Sequence, residues 1–225
     1  MVGFFVVVSM QILYLHGFAS GPNSLKAKYF AKKLQDVGIK YQILDLNLSN
    51  FSNLTPTKVL TYIHSLIQNE ETILIGSSLG GLYGLIMAER EQMVCKLILL
   101  APALEINSLW NDIVGEDNLK QWKAQGSLPI YHYGYGQTIP LHYEFLVDLA
   151  KYQDHGFLRQ IPALVFHGIN DATIPCAVSQ RYTYDNPVAT FHQLDSDHSL
   201  ENSLDYIWQH SAKFIGVVLE NQSLT

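Results

Sequence analysis

Short, mostly apolar runs alternate with longer stretches whose apolar residues recur every three or four positions. Gln11–Leu15, Tyr41–Leu44, Thr72–Ile75, Lys96–Leu100, Ala163–His167 and Ala189–Leu194 predict strands. Between and after them, Leu25–Val37, Thr57–Gln68, Leu82–Arg90, Ala177–Tyr184 and Ser203–Leu219 predict helices. Gly38 closes the first of these and Pro56 opens the second. Strands that carry no polar face must be buried on both sides, so the pattern predicts the α/β class: a mostly parallel central sheet with helices on both faces. Val2–Val8 is apolar but lacks a preceding Lys or Arg and is too short to span a bilayer. It is expected to be a strand or a few residues upstream of Met10, which leaves Met1 and Met10 both as candidate starts.

The alternation breaks between Leu104 and Gln160, where no strand–helix unit is legible. This stretch holds Trp110, Trp122 and the cluster Tyr131, His132, Tyr133, Tyr135, interrupted by Gly134 and Gly136. The expectation is a single domain over residues 1–225 with a cap-like insertion at about 104–160, containing helices near Asn118–Ala124 and Tyr143–Lys151. An insertion at the carboxyl edge of a parallel sheet lies over the place where such sheets bind ligands, so Trp110, Tyr131 and Tyr133 are candidate substrate-contacting residues.

Composition narrows the function classes. The 225 residues are 48% hydrophobic and 15% charged, which suits a packed domain, and the net charge of −6 comes with no basic cluster. Nucleic acid is therefore not an expected partner. Cys95 and Cys176 stand far apart in apolar surroundings and read as free thiols of a reducing, cytoplasmic protein, and no Cys/His spacing predicts a metal site.

The chemistry begins at Gly76-Ser77-Ser78-Leu79-Gly80. A predicted strand precedes this G-x-S-x-G and a predicted helix follows, the context of a nucleophile elbow in which Ser78, not Ser77, projects into a cleft. A serine hydroxyl needs a base, an acid that orients the base, and an oxyanion hole. In Leu13-Tyr14-Leu15-His16-Gly17-Phe18 a strand runs into His-Gly-aromatic, so the Phe18 amide, with that of Leu79, is the candidate oxyanion hole. His16 is a candidate for contact with substrate or for a structural role beside Gly17. The run Leu164–Pro175 places Asp171 three residues beyond a His-Gly strand end and makes it the candidate acid. His167 is expected to shape that loop by packing. Asp195 and Asp197 compete for the acid's role, but their closeness in sequence to His198, the candidate base, counts against them.

Three phrases, ILYLHGFASGPNSLKA, ILIGSSLGGLYG, and HGINDATIP with DSDHSL, resemble the α/β-hydrolase superfamily, and more closely its YqiA/YcfP-like family of small bacterial esterases. The resemblance covers Met10–Pro102 and Pro162–Gly216 and is weak over the insertion, where LKQWKAQGSLPI and LHYEFLVDLAKY are similar to segments of capped serine hydrolases. It implies an α/β-hydrolase fold, a Ser78–Asp171–His198 triad and hydrolysis of short acyl esters; a serine hydrolase of this kind works through an acyl-enzyme and needs no cofactor. It also implies a start near Met10. A thioesterase, an acyltransferase or a peptidase could run on the same triad, and a non-catalytic binding protein could keep the same fold. Oligomeric state is not legible.

Overall fold

The computed structural model describes residues 10–67 and 70–217. Val2–Val8 and the last two residues expected in the final helix lie outside the described residues, as does Gln68. Six strands form one sheet: β1 (Met10–Leu15), β2 (Tyr41–Ile43), β3 (Glu71–Ser77), β4 (Val94–Leu100), β7 (Ala163–Gly168) and β8 (Ala189–Leu194). Their order is β2-β1-β3-β4-β7-β8 and every adjacent pair is parallel.

The apolar runs are sorted by strand periodicity, because successive side chains leave opposite faces. On one face lie Leu13 and Leu15 of β1, Leu74 of β3, Leu97 and Leu99 of β4, and Val165 of β7. They pack with α2 (Pro56–Leu66), α3 (Leu79–Arg90) and α7 (Cys176–Asp185). Ile12, Tyr14, Ile73, Ile75, Ile98, Leu100 and Phe166 alternate with them on the other face. There they meet α1 (Leu25–Asp36) and α8 (Leu204–Ile215). Local signals set the helix ends. Ser24 caps α1 by accepting from the Ala27 amide, Thr55 caps α2 ahead of Pro56, and Gly38 takes the left-handed φ of 69° just past α1.

The insertion holds more structure than its sequence predicts. The two expected helices are α5 (Glu116–Gln125) and α6 (Glu144–Leu149), but α4 (Ile106–Val114) precedes them. An antiparallel hairpin of β5 (Ser127–His132) and β6 (Gln137–His142) lies between α5 and α6. Pro129 and Pro140 obscure these strands, because proline cannot donate to a ladder. They stand directly opposite each other. In a two-stranded ribbon such a pair fits where the amide direction points away from the partner strand.

Trp122 is fully buried beneath the hairpin, donates its indole N–H to the Leu141 carbonyl at 2.7 Å, and meets Trp110 edge-on at 6.1 Å. Asp148 ties α6 to α2 by accepting from the Thr57 amide at 2.6 Å and its hydroxyl at 2.8 Å. Trp122→Ala, which empties this site and orphans a carbonyl, should cost about 3–5 kcal/mol of stability. Urea unfolding measures this, and a loss below about 1 kcal/mol would mean that the insertion does not rest on Trp122.

Candidate active site

Loops at the carboxyl ends of β1, β3, β7 and β8 converge on one cleft of about 920 Å³. Ser78 sits in the sharp turn between β3 and α3 at φ 52°, ψ −120°, a conformation costly for a residue with a side chain. It is held on both sides: its N–H donates to the Leu100 carbonyl at 2.9 Å, and its carbonyl accepts from the Ala103 amide at 3.0 Å. The flanking glycines are a packing requirement. A Cβ on Gly76 would stand 2.5 Å from the Gly80 carbonyl oxygen, and one on Gly80 would collide with the Leu15 carbonyl. Gly17 brings the loop after β1 over the serine, since a Cβ there would lie 3.2 Å from that of Ser78.

The Ser78 hydroxyl donates to His198 Nε2 at 3.0 Å, and His198 Nδ1–H donates to Asp171 Oδ2 at 2.6 Å. The Asp171 side chain is fully buried; its other oxygen accepts from the amides of Thr173 at 2.8 Å and Ile174 at 2.9 Å. Its rivals are engaged elsewhere. Asp195 accepts from the Asn170 side chain, and Asp197 folds back on the Ser199 amide and hydroxyl. His167 does more than pack. Its Nε2–H is shared between Asp171 Oδ2 and the Ile174 carbonyl, each at 3.0 Å, while Nδ1 accepts from the Ser179 hydroxyl at 2.7 Å. The His-Gly at the strand end was the available signal, but nothing in the spacing shows that the ring turns back onto the carboxylate.

Phe18 and Leu79 both line the cleft, and among the described residues neither amide donates a backbone hydrogen bond. Trp110 lines the cleft and is nearly buried, and Tyr133 lines its rim. Tyr131 does not reach the cleft: it is exposed and packs edge-on against Tyr133 at 5.1 Å. His16 also departs from its candidate role as a substrate contact. It is buried, its Nδ1–H donates to the Gly17 carbonyl at 2.8 Å, and its Nε2 accepts from the Leu46 amide at 3.0 Å. Both ring nitrogens are thus spent on holding loops, the structural alternative. Lys26 was not foreseen in the cleft; its ammonium donates to the Ser199 carbonyl at 2.7 Å beside the His198 loop. Burial pulls its pKa down to about 8, against the opposing pull of Glu201, Asp197 and Asp171. Among the described residues no cluster of three or more metal-ligating side chains occurs, and no helix is long and apolar enough to cross a membrane.

The parallel sheet, the strained turn after β3 and the loops over its carboxyl edge define an α/β-hydrolase fold. The chain belongs to the family described as uncharacterised protein family UPF0227, whose model matches residues 11–215. Solved structures with the same fold include the alpha/beta hydrolase domain-containing protein 10 from mouse, 20% identical with a TM-score of 0.74 over 91% of this chain and 89% of that one. Est1E from Butyrivibrio proteoclasticus with ferulic acid bound is 18% identical, with a TM-score of 0.77 over 91% and 87%. The Pyrococcus furiosus esterase Pf2001 is 11% identical, with a TM-score of 0.64 over 93% and 83%. No curated protein sequence matches the chain.

Burial acts to raise the Asp171 pKa, but hydrogen bonds from His167, His198 and the Ile174 amide outweigh it and hold the carboxyl well below the usual carboxylate range. With the folded value below the unfolded one, this contribution to stability is present above about pH 4 and is lost as pH falls toward the lowered value. Wild-type protein should therefore lose more stability between about pH 4 and pH 2 than Asp171→Asn does, as read by denaturant unfolding at stepped pH. Parallel losses would mean that the depressed carboxylate is not Asp171.

Proposed function

We propose that the chain is a serine hydrolase of carboxylic esters, with Ser78 as nucleophile, His198 as general base and acid, and Asp171 as the group that orients His198. The observation that carries this reading is the unbroken hydrogen-bonded series from Ser78 Oγ through His198 to a buried, ionised Asp171. The esterase and hydrolase names borne by the structures of like fold agree with it.

In the first half-reaction Ser78 Oγ attacks the ester carbonyl carbon while its proton passes to His198 Nε2. Charge develops on the carbonyl oxygen, where the free amides of Phe18 and Leu79 receive it; each such donor is typically worth about 3 kcal/mol. The intermediate collapses as His198 returns the proton to the departing alkoxide, which leaves as an alcohol and the acyl group on Ser78. Water then enters, loses a proton to His198 and attacks the acyl-enzyme. Collapse releases the carboxylic acid and restores the serine hydroxyl, so no cofactor is consumed.

The cleft also sorts its ligand. Its lining mixes apolar side chains, among them Phe18, Trp110, Ile106 and Ile113, with the polar Lys26, Asn23 and Glu201. A small ester with an apolar or ring-bearing group fits such a site, and the insertion at 104–160 serves as a cap over it. The free thiols of Cys95 and Cys176 suit a cytoplasmic setting.

Ser78→Ala should reduce p-nitrophenyl ester hydrolysis by roughly 10⁴-fold or more and abolish labelling by a fluorophosphonate probe. Ser77→Ala should retain both. Undiminished turnover in Ser78→Ala, or probe attached to Ser77, would overturn the assignment; comparing oxygen esters with acyl-CoA and acyl amides identifies the preferred leaving group.

A further inference from the structure

The insertion packs against Phe18 from two of its helices. The Phe18 ring is 5.2 Å from that of Phe145 in α6 and 5.7 Å from Trp110 in α4, the latter edge-on. Directly after it Ala19 adopts φ 50°, a left-handed conformation that needs outside support in a non-glycine residue. That support comes from the hairpin: the Tyr133 amide donates to the Ala19 carbonyl at 2.8 Å. The hairpin can come this close because residue 134 is glycine, where a Cβ would lie 3.0 Å from the Ser20 carbonyl group.

A second, buried connection runs beside the first. The Tyr135 amide donates to His132 Nδ1 at 3.2 Å, which leaves the proton on Nε2. His132 Nε2–H then donates to Asn47 Oδ1 at 3.0 Å, and Asn47 Nδ2 donates to the Ser20 carbonyl at 2.9 Å. His132 and Asn47 are almost wholly buried. Burial, together with the nearby His16, lowers the His132 pKa and favours the neutral ring that this direction of donation requires. The loop carrying Phe18 is therefore held by its side chain, by the Ala19 carbonyl and by the Ser20 carbonyl, each time with the insertion at the far end.

We propose that the insertion is a positioning element for the oxyanion hole: the Tyr133 amide and the His132–Asn47 pair fix the loop that aims the Phe18 N–H. This inference rests on the hydrolase reading above and assigns the insertion a role in the rate of the chemical step, besides its role as a wall of the cleft. The Tyr133 amide, His132 and Asn47 are positioning groups, since they act through Ala19 and Ser20.

The test compares a p-nitrophenyl ester with the matching thionoester, whose carbonyl sulfur is a weak acceptor and gains little from oxyanion donors. Tyr133→Pro removes the N–H from an exposed residue that follows a strand, a setting proline tolerates, and Tyr133→Ala removes the side chain alone. Tyr133→Ala should keep the wild-type ratio of ester to thionoester kcat within about threefold. Tyr133→Pro and Asn47→Ala should each lower that ratio by about tenfold or more.

Circular dichroism and thermal melting verify that each variant is folded, and Asn47→Ala tests the loop from its buried side if the proline is not accepted. Equal ratios in all folded variants would overturn the proposal. A matched fall for both substrates would also overturn it, because loosened packing alone slows the two reactions alike. Absence of turnover of either ester by the unaltered chain would instead refute the hydrolase reading, and this inference with it.

Discussion

Ser78 is held at φ 52°, ψ −120°, and most of the architecture around it follows from keeping it there. Such a conformation costs about 1–3 kcal/mol and persists only where neighbouring structure over-determines it. Here the turn is closed by the Leu100 carbonyl of β4 and the Ala103 amide beyond that strand. The helix that leaves the turn crosses β1 so closely that Gly80 has no room for a Cβ beside Leu15. A buried sheet with β1 and β4 as the two neighbours of β3 is what brings those contacts to one point. The strain thus fixes where the hydroxyl points before any substrate arrives.

The same central strands set the distances to the other members of the site. Gly17 at the end of β1 lets the following loop pass over Ser78, while β7 and β8 carry Asp171 and His198 toward it from the opposite side. Asp171 is the electrostatic anchor of that side. Its buried charge is satisfied by two ring N–H groups and two backbone amides, so His198 is held in the tautomer that presents Nε2 to the serine. The β1 side is held differently. Hydrogen bonds and aromatic contacts from residues 104–160 meet the loop that follows β1.

What was legible in the sequence divides along the range of the signal. The strands and helices of the sheet are local, periodic patterns, and the observed elements match the expected ones to within a few residues. Ser78, Asp171 and His198 could be nominated because each follows a strand and carries its own turn chemistry nearby. The place of His16 before Gly17 pointed to the structural role it has, whereas His132 and Asn47 could not be read this way. Their roles depend on which loops meet in space, and an isolated histidine or asparagine has the same sequence signature whether it faces substrate or braces a backbone carbonyl. The hairpin β5–β6 was hidden for a different reason. Pro129 and Pro140 argue against strands individually, and only their cross-strand pairing reconciles them with a ladder.

If Ser78 is the nucleophile, it becomes covalently acylated during turnover. Rapid acid quenching of the protein with a slowly deacylated p-nitrophenyl ester, followed by peptide mass spectrometry, tests it directly. One acyl group is expected, on the peptide containing Ser78 and absent from Ser78→Ala. Acylation at another residue, or the same adduct in the variant, would contradict it.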